Sequence, residues 1–371
     1  MHVSQIKNVQ VLMGDGNFRF GSVSFDETIQ KVEVNETICT DIKSYLIPGL
    51  IDVHTHGAIG GDHSDGCPSK MQEMADFYAR NGTTSFLATT LTATEETLSN
   101  AVKNVAVYER SNSGARCLGI HLEGPFFSYA KRGAHPADLL KNPDISMYER
   151  LSKLSGEKIK LISISPELEG AMEFIKEVSK SCCISLAHSA SDYKTAMQAF
   201  ANGATHVTHL FNGMNSFLHR EPGIIGAAMD SGAFVEVICD GYHLHPSVVR
   251  AAFRLFGRRV CLISDSLRCA GMPDGDYESA GLPVTVKSGK AMLKDGGSLA
   301  GSTISLMQGV RNAVHLGIPL AEAVSAATLN CAKTLGLVGK VGTITPGALA
   351  DFVLLDSELN IKKVFIGGKE V

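Results

Sequence analysis

The sequence predicts an α/β protein, built as a (β/α)8 TIM-like barrel with a small β-sandwich domain formed by the N- and C-terminal segments. Three observations predict this fold. Short apolar or β-branched runs alternate with helical patterns through the middle of the chain. Five segments in this region stop abruptly at histidine, glutamate or aspartate, as happens where side chains stand at the C-terminal ends of barrel strands. Both ends of the chain are strand-like.

The terminal segments are expected to belong together. Residues 1–48 alternate polar and apolar side chains, for example over 31–34, and residues 343–371 follow a similar pattern. We expect 1–48 and 343–371 to pair into the β-sandwich domain, and 49–342 to form the barrel.

Two barrel helices have clear sequence boundaries. Asp192 precedes an amphipathic run over Tyr193–Ala201, which stops at an Asn-Gly pair, and a second run over 320–335 is ended by Gly336. We predict one helix over each run.

Composition narrows the possible function classes. The chain has 371 residues, 44% of them hydrophobic, which is enough for one large barrel and a small accessory unit. A formal charge of −4 provides no general attraction for nucleic acid or an anionic membrane. The nine cysteines contain no CxxC pair, so we expect free thiols and a cytoplasmic location. The N-terminus lacks the pattern of a signal peptide, and no apolar stretch approaches the length of a membrane span.

The five segments that end in possible metal ligands share one layout. They are PGLIDVHTHG with His54 and His56, GIHLEGPF with Glu123, SLAHSAS with His188, ATHVTHLFNGM with His209, and CLISDS with Asp265. His54 and His56 are two apart on a predicted strand, so both side chains emerge on one face and can converge on one ion. Such a pair can also arise by chance, but the buried PGLID run before it favours a metal site.

Glu123 ends a strand that Gly124 and Pro125 stop. A carboxylate buried there without compensation would be costly, so a cation or a strong hydrogen-bond partner is expected. A solvated loop glutamate is the alternative. His121 lies on the same strand face as Glu123, in the barrel layer below it. We predict that it packs in the barrel or holds a ligand in place by a hydrogen bond.

Two further histidines and an aspartate complete the set. His188 and His209 each follow an apolar run, as imidazoles bound at a strand end do. His206 points to the opposite face of a regular strand, so we choose His209 as the ligand. Asp265 follows the run 260–264 and could instead be a helix N-cap. Histidines with carboxylates and no cysteine suit zinc, iron, cobalt or manganese.

Taken together, these segments resemble the amidohydrolase superfamily and, within it, the N-acetylglucosamine-6-phosphate deacetylases. The resemblance covers nearly the whole chain. It is carried by PGLIDVHTHG, HLEGPF followed by KRGAH, AHS, THLFNGM followed by REPG, DGYHLHP, SDS followed by AGMPDG, LAGST and the closing GTITPGALADFVLLD. Many amidohydrolases bridge two metals with a carboxylated lysine, whereas this family is similar to the branch that uses a glutamate, which matches Glu123.

The resemblance implies a divalent metal cofactor. Glu123, His188 and His209 would hold the principal ion, and His54 and His56 would create a second site, where some members have Gln and Asn and work with one metal. Zinc or iron is expected first, with cobalt or manganese as alternatives, and one or two ions per subunit.

The resemblance also implies a mechanism. A metal-bound hydroxide would attack the acetamide of N-acetylglucosamine 6-phosphate and release acetate and glucosamine 6-phosphate, a step in amino-sugar catabolism or recycling. Asp265, besides joining the metal set, would act as general base and then as general acid, while His243 of DGYHLHP would polarise the carbonyl. His245, two residues further on, is expected to be a surface or turn histidine.

The same resemblance surrounds the sugar phosphate with His135, Asn212, the backbone of Gly213, and Arg220 supplied across the interface of a homodimer. Gly213 stands where alanine is common, a change that a backbone N–H contact survives. No Walker-type glycine loop is present, so the phosphate would be a binding handle. The role of Arg268, in a segment that is usually small and apolar, stays open.

Three alternatives remain. The first is a deacetylase for the N-acetylgalactosamine epimer, a sugar that differs from N-acetylglucosamine in the orientation of one hydroxyl. Other amidohydrolases, such as dihydroorotase-like or dipeptidase-like enzymes, are disfavoured by the absence of an obvious bridging lysine and by the phosphate-site residues. A non-catalytic oligomeric scaffold would be expected to have lost ligands, and the set is intact.

Overall fold

The computed structural model describes residues 3–35, 44–111, 113–295 and 297–371. Within these residues the strands are β1 (Ser4–Leu12), β2 (Phe18–Phe25), β3 (Ile29–Val34), β4 (Ser44–Pro48), β5 (Leu50–Thr55), β6 (Gly57–Ala58), β7 (Gly61–Asp62), β8 (Thr83–Thr90), β9 (Arg116–Glu123), β10 (Ile159–Ile164), β11 (Cys183–Leu186), β12 (His206–Val207), β13 (Phe234–Ile238), β14 (Val260–Ile263), β15 (Gly275–Ser279), β16 (Leu282–Lys287), β17 (Lys290–Leu293), β18 (Phe352–Asp356), β19 (Ile361–Ile366) and β20 (Lys369–Glu370). The α-helices are α1 (Pro68–Arg80), α2 (Glu95–Val107), α3 (Ile145–Ser155), α4 (Ala171–Val178), α5 (Tyr193–Ala201), α6 (Gly223–Ser231), α7 (Pro246–Phe256), α8 (Leu306–His315), α9 (Leu320–Ala326) and α10 (Leu329–Thr334).

Eight strands form a nearly closed parallel barrel, in the order β5, β8, β9, β10, β11, β12, β13, β14. One of the helices α1 to α8 follows each strand along the chain. The first and last strands meet at their C-terminal ends, where the Asp265 amide donates to the His54 carbonyl at 2.9 Å. The predicted fold class is therefore confirmed.

The barrel strands are buried on both faces, which explains their continuous apolar runs. All residues of β5 and β8 are buried. Ile51, Val53, Leu87, Leu161 and Ile263 belong to one apolar cluster contributed by several barrel strands. Polar residues such as His54 and Glu123 lie nearer the C-terminal ends of the strands, which restricts the chemistry to that end of the barrel.

The two ends of the chain pair in one seven-stranded sheet, in the order β20, β19, β18, β4, β1, β2, β3. Strand β4 pairs antiparallel with β18 and parallel with β1. Val23, Phe25 and Phe352 pack in the core that this sheet covers. Residues 1–2 and 36–43 of the predicted N-terminal segment lie outside the described residues. The boundaries at 48 and 343 stay a prediction.

Of the two predicted helices, one is confirmed and one is wrong. Helix α5 spans Tyr193–Ala201, with the Asp192 carboxylate accepting the Thr195 amide at 2.7 Å. The single helix predicted over 320–335 is two helices, α9 and α10. The Ala327 carbonyl between them accepts the Ile51 amide of β5 at 2.8 Å, so packing against the barrel takes this carbonyl out of a continuous helical ladder.

A three-stranded antiparallel sheet, β15 to β17, lies between β14 and α8 and was not predicted. Leu267, Val284 and Val286 form part of a small core beneath it. The Tyr242 hydroxyl donates to the Ser288 carbonyl at 2.6 Å and so ties the sheet to the segment after β13.

Two further features concern the cysteines and the character of the helices. The eight cysteines in the described part of the chain are free thiols, and Cys39 lies outside it. Among the described helices, none combines the length and apolar character that crossing a bilayer requires.

Candidate active site

The predicted metal ligands meet at the C-terminal end of the barrel. They come from five barrel strands or the residues just after them: His54 in β5, His56 just after it, Glu123 at the end of β9, His188 after β11, His209 after β12, and Asp265 after β14. Parallel strands end on one side of a barrel, which is why residues far apart in sequence converge here.

Glu123, His188 and His209 form a first donor set. The Nε2 atoms of His188 and His209 are 3.0 Å apart, and they lie 3.4 and 3.1 Å from Glu123 Oε1. His188 Nδ1 contacts the Lys131 carbonyl at 2.8 Å, and His209 Nδ1 contacts the Asn212 carbonyl at 3.2 Å. Because a carbonyl only accepts, each Nδ1 carries a proton, and in the neutral form of the ring the Nε2 lone pair then faces the other donors. This is an arrangement that a cation completes.

His54, His56 and Asp265 form a second donor set. Their Nε2 atoms are 3.2 Å apart, and Asp265 Oδ1 lies 3.4 Å from His54 Nε2 and 3.2 Å from His56 Nε2. Glu123 lies between the two sets, since its Oε1 is 3.5 Å from His54 Nε2 and its Oε2 is 3.2 Å from His56 Nε2. One carboxylate can thus serve both sets.

The two carboxylates are ionised despite their burial. Burial alone would raise the pKa of Glu123, but the imidazoles of His54, His188 and His209 that surround it outweigh burial and hold that pKa well below its usual range. Burial also opposes ionisation of Asp265, and His54 and His56 lower its pKa in the same way. Imidazoles and ionised carboxylates in this grouping fit a divalent transition metal.

Three of the predicted ligands have strained backbone conformations. His188, His209 and Asp265 have φ values of 45°, 29° and 49°, in or near the left-handed region. Hydrogen bonds hold these turns: the Ser165 hydroxyl donates to the His188 carbonyl at 2.7 Å, and the Ser302 amide donates to the Asp265 carbonyl at 2.7 Å. The turns direct the three side chains into the site.

A cavity of about 440 Å³ opens onto the donor sets, a volume suited to a small-molecule substrate. Nine of the residues predicted to act in the site line it: His56, Glu123, His135, His188, His209, Asn212, Gly213, His243 and Asp265. Its walls also include Leu91, Lys131, Ile238 and Leu299. His54 is not among the lining residues.

The predicted substrate residues of this chain occupy different parts of the cavity. His135 stands close to the donor sets, with its Nε2 3.6 Å from Glu123 Oε2 and its Nδ1 3.4 Å from the Thr92 amide. Burial and nearby His188 hold the pKa of His135 well below its usual range. The Asn212 amide group is engaged with the backbone carbonyl of His209 at 3.3 Å.

Gly213 lies against a ligand of the first donor set. It has φ of 61°, and a Cβ on it would lie 2.8 Å from His188 Nδ1. A glycine here therefore leaves room for that imidazole.

Arg220 is predicted to bind phosphate, but the structure does not place it in the cavity of its own chain. It lies on an exposed segment between β12 and α6, where its guanidinium contacts His219. Phe217 and Leu218 in the same segment are 46% and 50% exposed.

Arg268 does not line the cavity. It pairs at 2.9 Å with Asp65, on the short segment that follows β7, and lies 3.8 Å from Asp62 at the end of β7. Its observed contacts are structural.

The other histidines take the places expected for them. The His245 side chain caps α7 by accepting the Ser247 amide, as a turn histidine does. His121 contacts Ser163 Oγ at 2.7 Å and the Val53 carbonyl at 3.1 Å, which is a packing role below the ligands. His206 turns away from the donor sets toward Glu236.

Three acidic residues next to the site were not predicted from the sequence. Asp240 Oδ2 accepts the proton of His243 Nδ1 at 2.8 Å, and Asp52 accepts the His54 amide at 3.3 Å, with burial raising the pKa of Asp52 to about 7. Glu236 lies 2.9 Å from His54 Nδ1 and is fully buried. The available signals were an acidic residue inside each of the apolar runs LIDV and FVEVI, and an aspartate three residues before His243.

Comparisons with known proteins agree with this geometry. A model of the amidohydrolase family matches residues 45–371. An N-acetylgalactosamine-6-phosphate deacetylase of Escherichia coli O157:H7 is 38% identical over 328 residues, covering 87% of each chain. An N-acetylglucosamine-6-phosphate deacetylase of Bacillus subtilis (strain 168) is 36% identical over 96% of this chain and 91% of its own.

Solved structures are similar over the whole chain. An N-acetylglucosamine-6-phosphate deacetylase of Thermotoga maritima has a TM-score of 0.91 at 31% identity and 99% coverage of both chains. A mutant of the Mycobacterium smegmatis enzyme, in complex with N-acetyl-D-glucosamine-6-phosphate, has a TM-score of 0.93 at 29% identity, covering 100% of this chain and 99% of its own. With its barrel, its two donor sets and these relatives, the chain belongs to the amidohydrolase family, in the branch of hydrolases that deacetylate amino-sugar 6-phosphates.

Proposed function

We propose that this chain hydrolyses the acetamide of N-acetylglucosamine 6-phosphate, giving glucosamine 6-phosphate and acetate, as a step in amino-sugar catabolism or recycling. The observation that carries the proposal is one cavity where both donor sets meet His135, Asn212 and His243. The names of the relatives support the substrate. The free thiols support a cytoplasmic location.

The metal belongs to this proposal. The first donor set would hold a divalent ion, zinc or iron before cobalt or manganese, and the second donor set would hold another. When bound, such an ion supplies positive charge that polarises oxygen ligands and balances the buried carboxylates.

Asp265 would transfer the proton, and His243 would polarise the acetyl carbonyl. Asp265 Oδ1 faces the second donor set, and the carboxylate lines the cavity in its ionised form. It would take a proton from the attacking water and deliver it to the nitrogen as the C–N bond breaks. Because His243 Nδ1 donates to Asp240, Nε2 remains for the acetyl carbonyl. A hydrogen bond from Nε2 would polarise the carbonyl, and Asp240 would balance the positive charge of a ring that carries a proton on both nitrogens.

A substrate panel tests the reaction. Acetate release is measured with N-acetylglucosamine 6-phosphate, its galactosamine epimer and the unphosphorylated sugar, together with metal content on the same sample. We expect the first substrate to have the highest kcat/KM and the unphosphorylated sugar to lose most of it. The 38% identical relative makes the galactosamine epimer the second candidate, and a higher kcat/KM for that epimer would select it. No release from any of the three would overturn the proposed reaction.

Arg220 tests the homodimer and the phosphate contact. Arg220→Ala should raise KM for the phosphorylated sugar by about 10- to 100-fold with a smaller change in kcat, because it removes a charged hydrogen-bond partner that binds substrate and transition state alike. Arg254→Ala, at an exposed position on α7, is the matched control. An unchanged KM would remove Arg220 from the phosphate site, and a monomer by analytical ultracentrifugation would contradict the dimer.

A further inference from the structure

Glu236 is a buried carboxylate that the proposed mechanism does not use. It is the third residue of β13, in the run FVEVI, and its side chain is fully buried. A carboxylate in that position is costly unless hydrogen bonds compensate it. Its contacts therefore indicate what it does in the structure.

Glu236 contacts residues of two neighbouring regions of the site. Its Oε2 accepts from His54 Nδ1 at 2.9 Å and from the His209 amide at 3.1 Å, and its Oε1 lies 3.2 Å from His206 Nε2. Only the His54 contact involves the side chain of a donor-set residue. Glu236 thereby fixes the proton of the His54 ring on Nδ1.

The tautomer of His54 decides whether it can act as a ligand. With the proton on Nδ1, the neutral ring directs the lone pair of Nε2 at His56 Nε2 and Asp265 Oδ1, the other members of the second donor set. A ring with its proton on Nε2 would present a hydrogen there and could not bind an ion at that atom.

The two donor sets differ in what holds their histidines. In the first donor set, His188 and His209 donate from Nδ1 to backbone carbonyls. In the second, His54 donates to Glu236, while His56 Nδ1 has no hydrogen-bond partner among the described residues. A carboxylate partner also makes an imidazole a stronger ligand than a carbonyl does. The second donor set consequently depends on Glu236 in a way that the first does not.

We propose that Glu236 is a positioning residue that makes His54 a competent ligand and so controls binding of the second divalent ion. This inference rests on the proposed metal sites. The two ions then have different requirements. The histidines of the first are held through Nδ1 by backbone carbonyls, whereas the second ion requires the side chain of Glu236.

The test measures metal binding by the full chain. Metal-free protein is titrated with Zn²⁺, bound metal is counted after dialysis, and Co²⁺ absorption spectra report the coordination of each ion. The parent chain should bind two ions. Glu236→Gln should keep the first with little change in Kd and weaken the second by about 10- to 100-fold, the range typical for loss of a hydrogen-bond partner behind a ligand.

Glu167→Gln is the matched control. Glu167 also accepts hydrogen bonds beside the site, from Ser189 Oγ and the Ala190 amide, but contacts no side chain of either donor set. It should leave binding of the second ion unchanged. Adding Glu236→Gln to His54→Gln should weaken the second ion no further, because Glu236 acts through His54.

Several outcomes would overturn the inference. These are a Glu236→Gln chain that binds both ions with parental affinity, a parent chain that binds one ion, or equal weakening of both ions. If Glu236→Gln does not fold, ¹⁵N NMR of the metal-free parent protein gives the His54 tautomer, and a neutral ring protonated on Nε2 would contradict the proposal. Acetate release by the parent protein in the same samples is the separate test of the proposed reaction.

Discussion

Replacing Asp265 by asparagine should lower kcat by about 100- to 10,000-fold while the fold and the first donor set persist. The change removes the group that we propose carries the proton from water to the leaving nitrogen, and an amide nitrogen leaves poorly without one. Asparagine is the variant of choice because Asp265 has φ of 49°, a conformation that asparagine tolerates better than alanine. The measurement is steady-state acetate release from N-acetylglucosamine 6-phosphate.

Two further measurements separate the effect on turnover from loss of the fold or of the first ion. Thermal unfolding should give a melting temperature near that of the parent, and the first ion should still bind, since Asp265 is not in that donor set. Substitution of His245, an exposed cap of α7, by glutamine provides a control near the site with little expected effect on kcat. Near-normal acetate release by Asp265→Asn would refute the proposed role.

Glu123→Gln should abolish metal binding at both donor sets and lower kcat/KM by about 1,000-fold or more, since a catalytic metal contributes several kcal/mol to a transition state. The reason is geometric. Glu123 Oε1 lies 3.1 Å from His209 Nε2, and Oε2 lies 3.2 Å from His56 Nε2, so one substitution removes a negative ligand from both sets. Bound zinc counted after dialysis, together with acetate release, checks this.

Here too, Glu167→Gln serves as the control and should retain both ions. A Glu123→Gln chain that kept two ions would show that the carboxylate does not join the donor sets. A chain that kept the second ion alone would confine Glu123 to the first set. The comparison with Asp265→Asn, which should keep the first ion, then distinguishes loss of that ion from loss of proton transfer.

Most of the donor residues could be predicted from the sequence because their positions follow from local rules. Alternation along a strand puts His54 and His56 on one face, and a strand that ends at Glu123 presents its carboxylate at the edge of the barrel. The same rule separated His209 from His206, which turns to Glu236. Local rules failed at 320–335, where the Ala327 carbonyl bonds to β5 and interrupts the helix.

Residues behind the donor sets could not be predicted in this way. His54 and Glu236 are 182 positions apart and meet only because their strands line one barrel. Arg268 could not be assigned either, until its ion pair with Asp65 on a distant segment was seen. Nothing in the local sequence of either residue specifies its partner.

The sequence by itself determined the alternation of strands and helices, the strand ends at which the donors stand, and the resemblance to the amidohydrolase family. These depend on periodicity and on residues close together in the chain. Only the tertiary structure decided that Glu123 lies between two donor sets, that Arg220 does not line the cavity of its own chain, and that Glu236 contacts Nδ1 of His54. Such relations are distances between atoms on different strands, and closure of the barrel sets them.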